Sequence, residues 1–258
     1  MSPLPVFQTP ATRLRRYAAA LALALPMQAA IGHGVAIVPA PSGASAPRLS
    51  NDCDRMAGDP LDPLGPGAGA GHDFVDPAKA IAACTKELAK APTSPRVQYQ
   101  LSRAYAAAED SARALTFLRK ASDQAYPAAQ ALLAEFYLEG EELPQDDREA
   151  ARLFRAAAER GVGSAQVHLA GMYIDGRGVE QSDVTGLALL HRSADGGYAE
   201  AQALLGQLYL DGGLSFVNDE LVARNPARAT HYLKLAAAQG HEEAAELLAT
   251  LDAPATPR

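Results

Sequence analysis

A repeating frame of one glutamine and one tyrosine constrains this chain more than any other feature of its sequence. Gln130, Gln166 and Gln202 follow one another at intervals of 36 residues, and a tyrosine lies seven residues after each of them. A fourth pair, Gln98 and Tyr105, keeps the same internal spacing 32 residues before Gln130. A period of this length with two apolar blocks per unit is typical of helical hairpins that stack into a solenoid.

The two apolar blocks of each unit predict a pair of antiparallel helices. We predict first helices over about 95–108, 127–139, 163–175 and 199–211, and second helices over about 110–124, 146–160, 182–195 and 225–239. In the first helices a leucine precedes a small residue, as Leu205 precedes Gly206, and the second helix is expected to dock at the small position. Glycine ends three of the second helices and is expected to adopt a left-handed conformation there: Gly161, Gly197 and Gly240.

Two further helices are predicted at the ends of the array. Asp76–Lys90 has an N-terminal cap and one apolar face, and the acid-rich stretch Glu242–Leu251 has the outward polar face of a terminal cap. We therefore expect an α-solenoid over residues 73–252, with about four repeats plus first and last capping helices, and a disordered tail over 253–258. Seven extra residues around Leu214–Arg224 lengthen the last repeat. Such an insertion can add binding or be a neutral surface loop.

The N-terminus predicts export. Arg13, Arg15 and Arg16 precede the apolar run Tyr17–Leu25, and small residues follow over Pro26–Ala36. This order is typical of a signal peptide, which we place at residues 1–36, with an irregular arm over 37–72. The alternatives are a disordered tail or a short anchor, although nine residues are too few to span a bilayer, which needs about 20. The expected location is the periplasm or the exterior, with no integral membrane span after the leader is removed.

The two cysteines, Cys53 and Cys84, predict a structural disulfide in an exported chain. Cys84 falls on the apolar face of the Asp76–Lys90 helix, so the bond would fasten the arm over that helix. The alternative is one buried and one exposed free thiol.

No residue pattern predicts catalysis, a metal or a cofactor. His168, His231 and His241 lie on separate elements without ligand spacing, and neither His33 nor His72 has fixed surroundings. The glycines of Gly176-Arg177-Gly178 do not follow a strand, as a phosphate-binding loop requires. The formal charge of −7 opposes binding to nucleic acid.

These residues resemble the Sel1-like repeat family, which is related to tetratricopeptide repeats. The resemblance covers about 96–251 and rests on the AQxxLxxxY frame, the alanine-rich second helix and the loop Asp175-Gly176-Arg177-Gly178-Val179. The loops after Tyr137 and Tyr209 depart from that pattern. The resemblance implies an all-α solenoid of antiparallel helix pairs forming a right-handed superhelix, and a protein-binding adaptor or regulator.

In the orientation that the family implies, first helices line a concave face. Its positions would include Arg96, Tyr99, Arg103, Glu135 and Gln207, with Gly171 between the last two. The first three recur at i, i+3 and i+7, and tyrosine and arginine are common interface anchors. Alternatively, Tyr99 packs against the Asp76–Lys90 helix and both arginines are solvated.

Three hypotheses of function remain open at this stage. The first is an exported adaptor that binds an envelope protein or peptide on the concave face. The second is an envelope enzyme or a small-ligand binding protein that acts on a cell-wall component. The third is a scaffold that self-associates.

Overall fold

The computed structural model describes residues 51–64, 76–212 and 222–252. The chain divides into an N-terminal unit that ends at Phe117 and a C-terminal unit that begins at Leu118, and we describe each by itself. The expected signal peptide, the expected disordered tail and the core of the insertion in the last repeat lie outside the described residues.

All regular structure in the described ranges is α-helical, as the repeat period predicted. The first four helices are α1 (Asp52–Ala57), α2 (Pro77–Lys90), α3 (Pro95–Ala107) and α4 (Ser111–Asp123), the last of which crosses the boundary between the units. The C-terminal unit continues with α5 (Pro127–Glu139), α6 (Asp147–Glu159), α7 (Gly163–Asp175), α8 (Asp183–Asp195), α9 (Ala199–Asp211), α10 (Pro226–Ala237) and α11 (Glu242–Asp252).

The predicted helix boundaries agree with the structure to within about two residues because the sequence marks them with caps. Asp146 accepts hydrogen bonds from the N–H groups of Arg148 and Glu149 at the start of α6. Ser182 and Asn225 cap α8 and α10 in the same manner. Each cap satisfies backbone donors that the first turn of a helix leaves unpaired.

Small residues set the packing of the C-terminal unit. Its first and second helices form the pairs α5–α6, α7–α8 and α9–α10, and α6 packs on α7 as α8 packs on α9. A Cβ atom at Gly206 would lie 2.6 Å from Cγ of Leu233, which is fully buried on α10. The second helix therefore docks at the small position of the first, as predicted.

Loops of different length close with the same backbone hydrogen bond. The carbonyl of the repeat tyrosine accepts from the N–H of the residue that caps the next helix, at 2.8–2.9 Å: Tyr137 from Asp146, Tyr173 from Ser182 and Tyr209 from Asn225. The departures of the first and third loops from the family pattern therefore leave the start of the second helix unchanged.

The arm that we expected to be irregular contains a helix, α1. Asn51 caps it by accepting a hydrogen bond from the N–H of Asp54. Six residues are too few for a stable isolated helix, so packing must hold α1 in place. Cys53 and Ala57 supply that packing, since both are buried in one cluster with Cys84 and Leu101.

Candidate interaction faces

The segment 51–64 covers one face of α3 in the N-terminal unit. Its helix α1 packs against both α2 and α3. The predicted disulfide between Cys53 and Cys84 is present and ties α1 to α2, with a Cα–Cα distance of 4.6 Å. We call residues 51–64 the covering segment.

Four polar side chains of α3 hold the covering segment. Arg96, Tyr99, Gln100 and Arg103 recur at spacings of three and four, so they share one helical face. Gln100 Nε2 donates to Asp54 Oδ1 at 2.9 Å, and Arg96 Nη2 lies 3.5 Å from Asp54 Oδ2. Asp54 is fully buried, so these two partners offset the cost of removing its charge from water.

The other two side chains contact the end of α1 and the residues that follow it. Tyr99 donates its hydroxyl hydrogen to Asp59 Oδ2 at 2.7 Å, and Arg103 Nη1 donates to the carbonyl of Ala57 at 2.9 Å. Burial, together with the charge of Asp59, raises the pKa of the Tyr99 hydroxyl well above its ordinary value. The Tyr99 hydroxyl therefore stays protonated and acts as a neutral donor to the covering segment.

The structure changes the interpretation of Arg96, Tyr99 and Arg103. They do share a face, but Tyr99 and Arg103 are only 5% and 9% exposed, and their partners belong to the same chain. The alternative fails as well, because Arg103 is buried rather than solvated. Sequence reasoning missed Gln100 and the acids of the covering segment, for which the only signal was the acid-rich run around Cys53.

The corresponding face of the C-terminal unit is acidic and half-buried. Glu135 on α5 occupies the frame position that Gly171 has on α7 and Gln207 has on α9. His168 Nε2 lies 3.5 Å from Glu135 Oε1, and the His168 ring stacks on Phe154. Glu135 and Gln207 are partly exposed, and we call the surface around them the acidic face.

Two carboxyl groups of the C-terminal unit, those of Glu139 and Asp175, have raised pKa values. Burial raises the pKa of Glu139 to about 8, and repulsion from Glu135, Glu141 and Glu142 adds to the effect. Burial also raises the pKa of Asp175, against the opposing charge of Arg177. A cation placed beside Glu135 and Glu139 would offset the repulsion between their carboxylates.

The described residues contain no group of three or more His, Cys, Asp or Glu side chains that could hold a metal ion. Within the same ranges, no helix has the length and apolarity required to cross a membrane.

Comparison with known families identifies the repeats. The Sel1 repeat family matches residues 95–126, 127–162, 163–198 and 199–241, which together are more than half of the chain. The chain belongs to the Sel1 repeat family. No curated protein matches it in sequence.

Two solved structures share the Sel1 fold. A Sel1 repeat protein from Oxalobacter formigenes is 24% identical, with a TM-score of 0.59 over 73% of each chain. The protective antigen c5321 of uropathogenic Escherichia coli strains, which displays an SLR fold, is 26% identical with a TM-score of 0.53. That match covers 70% of this chain and 38% of the antigen. Sel1 repeat proteins are generally protein–protein interaction modules and typically non-enzymatic.

The Sel1 repeat tyrosines contact basic side chains of the preceding repeat. Arg155 of the second repeat donates from Nη2 to the hydroxyl of Tyr173, at 3.2 Å and a separation of 18 residues. One repeat later, His191 takes the place of Arg155, and its Nε2 lies 3.3 Å from the hydroxyl of Tyr209. His191 Nδ1 lies 3.3 Å from the hydroxyl of Tyr232, so tyrosines contact both ring nitrogens.

His191 was missed in the sequence because its partners lie on two other helices. Burial lowers its pKa, which a nearby Asp195 opposes and Arg228 reinforces. Arg228 Nη1 also donates to the Tyr209 hydroxyl at 3.0 Å. A neutral imidazole between two hydroxyls thus joins the stacked rings of Tyr209 and Tyr232 to α8.

The glycine loop of the third Sel1 repeat fixes the start of α6. Arg177 Nη2 donates to Asp147 Oδ1 at 2.7 Å. Burial alone would raise the pKa of Asp147, but hydrogen bonds from Arg177 and Gln145 outweigh it and lower the pKa. Gly178 has a φ of +66°, and a Cβ atom there would lie 2.1 Å from the carbonyl oxygen of Asp147. Only glycine fits this position, which explains the G-x-G spacing.

Proposed function

We propose that this protein is an exported adaptor that binds another protein through the first-helix faces of its Sel1 repeats. Family membership supports a role in protein binding. The Cys53–Cys84 disulfide supports export, because disulfides persist in oxidising compartments. The envelope, and the periplasm in particular, is the location that we propose.

One observation carries the proposal: the first-helix face of α3 already holds a length of polypeptide. The covering segment is bound by side chains that recognise both its carboxylates and its backbone, as when Arg103 donates to the carbonyl of Ala57. Contacts of a side chain with a backbone carbonyl do not depend on the sequence of the bound segment. A partner peptide can therefore be bound by the same kinds of contact on an equivalent first-helix face.

We assign partner binding to the acidic face of the C-terminal unit, at Glu135 and Gln207. Arg96, Tyr99 and Arg103 then hold the covering segment and would reach a partner only after that segment is displaced. The carboxyl groups of Glu135 and Glu139 favour a partner segment that carries lysine or arginine, because a cation offsets the repulsion between them.

The proposal is tested with photo-crosslinkers placed at Gln207 and at Glu135 in the native cell, followed by mass spectrometry. One envelope protein should be enriched, and Glu135→Lys in the Gln207-crosslinker protein should abolish its capture. Glu180→Lys is the matched control, because Glu180 is an exposed acid in the loop after α7. Capture of many unrelated proteins, equally from both variants, would contradict the adaptor role.

Crosslinks between copies of this chain alone would instead support the self-associating scaffold. In that case the apparent mass of the purified protein should rise with concentration, and Glu135→Lys should oppose that rise.

A further inference from the structure

The polar face of α3 has no counterpart in the other three Sel1 repeats. Where α3 carries Tyr99, the later first helices carry small or branched apolar residues: Ala131, Val167 and Ala203. Where α3 carries Gln100, they carry two leucines and one histidine: Leu132, Leu204 and His168. Stacking of one repeat on the next requires only apolar contact. The hydrogen-bonding set of α3 therefore indicates recognition of one particular kind of segment.

The helix α3 contacts the covering segment at three positions. It binds the carboxylates of Asp54 and Asp59, and it binds the backbone carbonyl of Ala57, whose side chain is fully buried. Side chains between and beyond these positions, such as Met56 and Leu61, stay exposed. The recognised pattern is thus Asp-x-x-Ala-x-Asp, and the other positions of a bound segment can vary.

Charge also favours an acidic occupant on this face. The helix α3 carries two arginines, Arg96 and Arg103, and no acidic residue. The covering segment carries four aspartates and one arginine, a net charge of −3. Complementary charges select one partner over others and speed its encounter. The face of α3 therefore fits acidic segments as a class, of which residues 51–64 are one example.

One covalent bond determines whether this occupant can leave. Cys53 of α1 is bonded to Cys84 of α2, and both are at most 1% exposed. Gln100 Oε1 lies 2.9 Å from Cys53 Sγ. The sulfur of a disulfide has no hydrogen to donate, whereas a thiol at the same place would donate to this oxygen. After reduction the covering segment would thus be held by non-covalent contacts alone, which a competing segment can replace.

We propose that the α3 face is a binding site for an acidic segment of a partner protein, and that reduction of the Cys53–Cys84 bond opens it. The covering segment is its tethered occupant. The reductant is a dithiol, which transfers two electrons and two protons to the bonded cysteines and closes to its own disulfide. The carboxylates of the partner then take the places of Asp54 and Asp59. This site extends the proposed adaptor function to the N-terminal unit and uses neither residue of the acidic face.

A peptide supplied in trans tests the site on the full chain. The receiving chain carries Cys53→Ala, Cys84→Ala, Asp54→Asn and Asp59→Asn, which release its own segment and leave α3 unchanged. The probe is a fluorescent peptide of residues 51–64 with Cys53→Ser, followed by fluorescence anisotropy. Saturable binding is the expected result. A control peptide that also carries Asp54→Asn and Asp59→Asn should bind at least tenfold more weakly, because charge-assisted hydrogen bonds are lost.

Further variants locate the peptide on α3. Arg103→Met in the receiving chain should weaken binding about tenfold or more. Arg113→Met is the matched control and should leave the affinity unchanged, because Arg113 is exposed on α4 and pairs with Asp110. The oxidised wild-type chain should not bind the peptide. After reduction it should bind at higher peptide concentrations, since the tethered segment competes at about millimolar effective concentration.

Covalent trapping keeps the test intact should the receiving chain fail to fold. The chain with Cys53→Ala alone retains the thiol of Cys84, and the peptide with its natural cysteine is supplied as a mixed disulfide with glutathione. The Cys84 thiolate attacks the peptide sulfur and displaces the glutathione thiolate. Mass spectrometry should show the adduct forming at least tenfold faster with the aspartate peptide than with its asparagine control.

Four outcomes would overturn the proposal: equal binding or trapping of the two peptides, equal losses in Arg103→Met and Arg113→Met, equal binding by the oxidised and reduced wild-type chains, or no binding in either assay. Dimers of the reduced wild-type chain that exclude the peptide would also overturn it, since a second copy would then occupy the face. The crosslinking experiment probes Glu135 and Gln207 instead, so its failure and the failure of these assays are separate results.

Discussion

The first-helix faces of the two units are built from equivalent positions of the repeat. One of them is covered by another segment of the chain, and the other is partly exposed. On α3 the frame carries Arg96, Tyr99 and Arg103, and the chain itself supplies their acidic partners. On α5 and α9 the position of Arg103 is taken by Glu135 and Gln207, which stay partly exposed. A repeat protein can thus use one geometry both to bind a segment of its own chain and to present a surface. The side chains at a few positions decide which of the two occurs.

The means of stabilisation differ in the same way. The N-terminal unit adds a covalent bond to a small core, and the C-terminal unit relies on glycine contacts and repeated loop hydrogen bonds. Four predictions follow from this contrast.

Removal of the disulfide should have the largest effect. The double change Cys53→Ala and Cys84→Ala should destabilise the N-terminal unit by about 3 kcal/mol, because the unfolded chain regains the freedom of the 31-residue separation. Hydrogen exchange read by mass spectrometry should show faster exchange in α1, α2 and α3. Peptides from α9 and α10 are the internal control. Uniform acceleration in both units would show that the contrast between them is wrong.

Gly178→Ala should cost about 2–3 kcal/mol, from a left-handed backbone combined with the overlap with the carbonyl of Asp147. Gly161→Ala is the matched control, because Gly161 has a φ of +87° and open space around it. It should cost only about 1 kcal/mol. Urea unfolding of both variants measures the difference. Equal costs would mean that the loop shifts to accept the methyl group.

Arg103→Met should cost about 2 kcal/mol, since it keeps the aliphatic stem but leaves the carbonyl of Ala57 without its donor. Gln207→Met changes the equivalent position of the C-terminal unit and should stay within about 0.5 kcal/mol. Thermal unfolding of the pair compares the two faces directly. A large loss in Gln207→Met would show that the acidic face is structural rather than available to a partner.

Glu139→Gln should have the smallest effect on stability, and that effect should depend on pH. A carboxyl whose pKa is raised from 4.5 to about 8 in the folded state binds a proton more tightly there than in the unfolded chain. Stability therefore falls as pH rises through that window and is flat above it. The variant should remove this slope and raise the free energy of unfolding by about 1 kcal/mol at pH 8. The gain is limited to this size because solvent screens a half-buried group. Melting from pH 4 to pH 9 checks it, with Glu180→Gln as the control.

Much of this organisation was available in the sequence. The period, the caps at Asp146, Ser182 and Asn225, and the docking of α10 at Gly206 are local patterns, and local patterns determine helices. The cysteine pair also predicted the bond that fixes α1. The shared face of Arg96, Tyr99 and Arg103 was predictable from spacing alone.

The occupants of that face were not predictable. Asp54 and Asp59 precede their partners on α3 by about 40 residues or more, and no periodicity links the two segments.

The common hydrogen bond to the repeat tyrosine carbonyl has a consequence for changes in loop length. Because Tyr209 and Asn225 meet as Tyr137 and Asp146 do, the residues between them can vary without shifting the second helix along its neighbour. Insertions and deletions in this loop would then leave the register of the second helix unchanged. The last repeat already carries such an insertion. A foreign epitope or a reporter could be grafted there without altering the array.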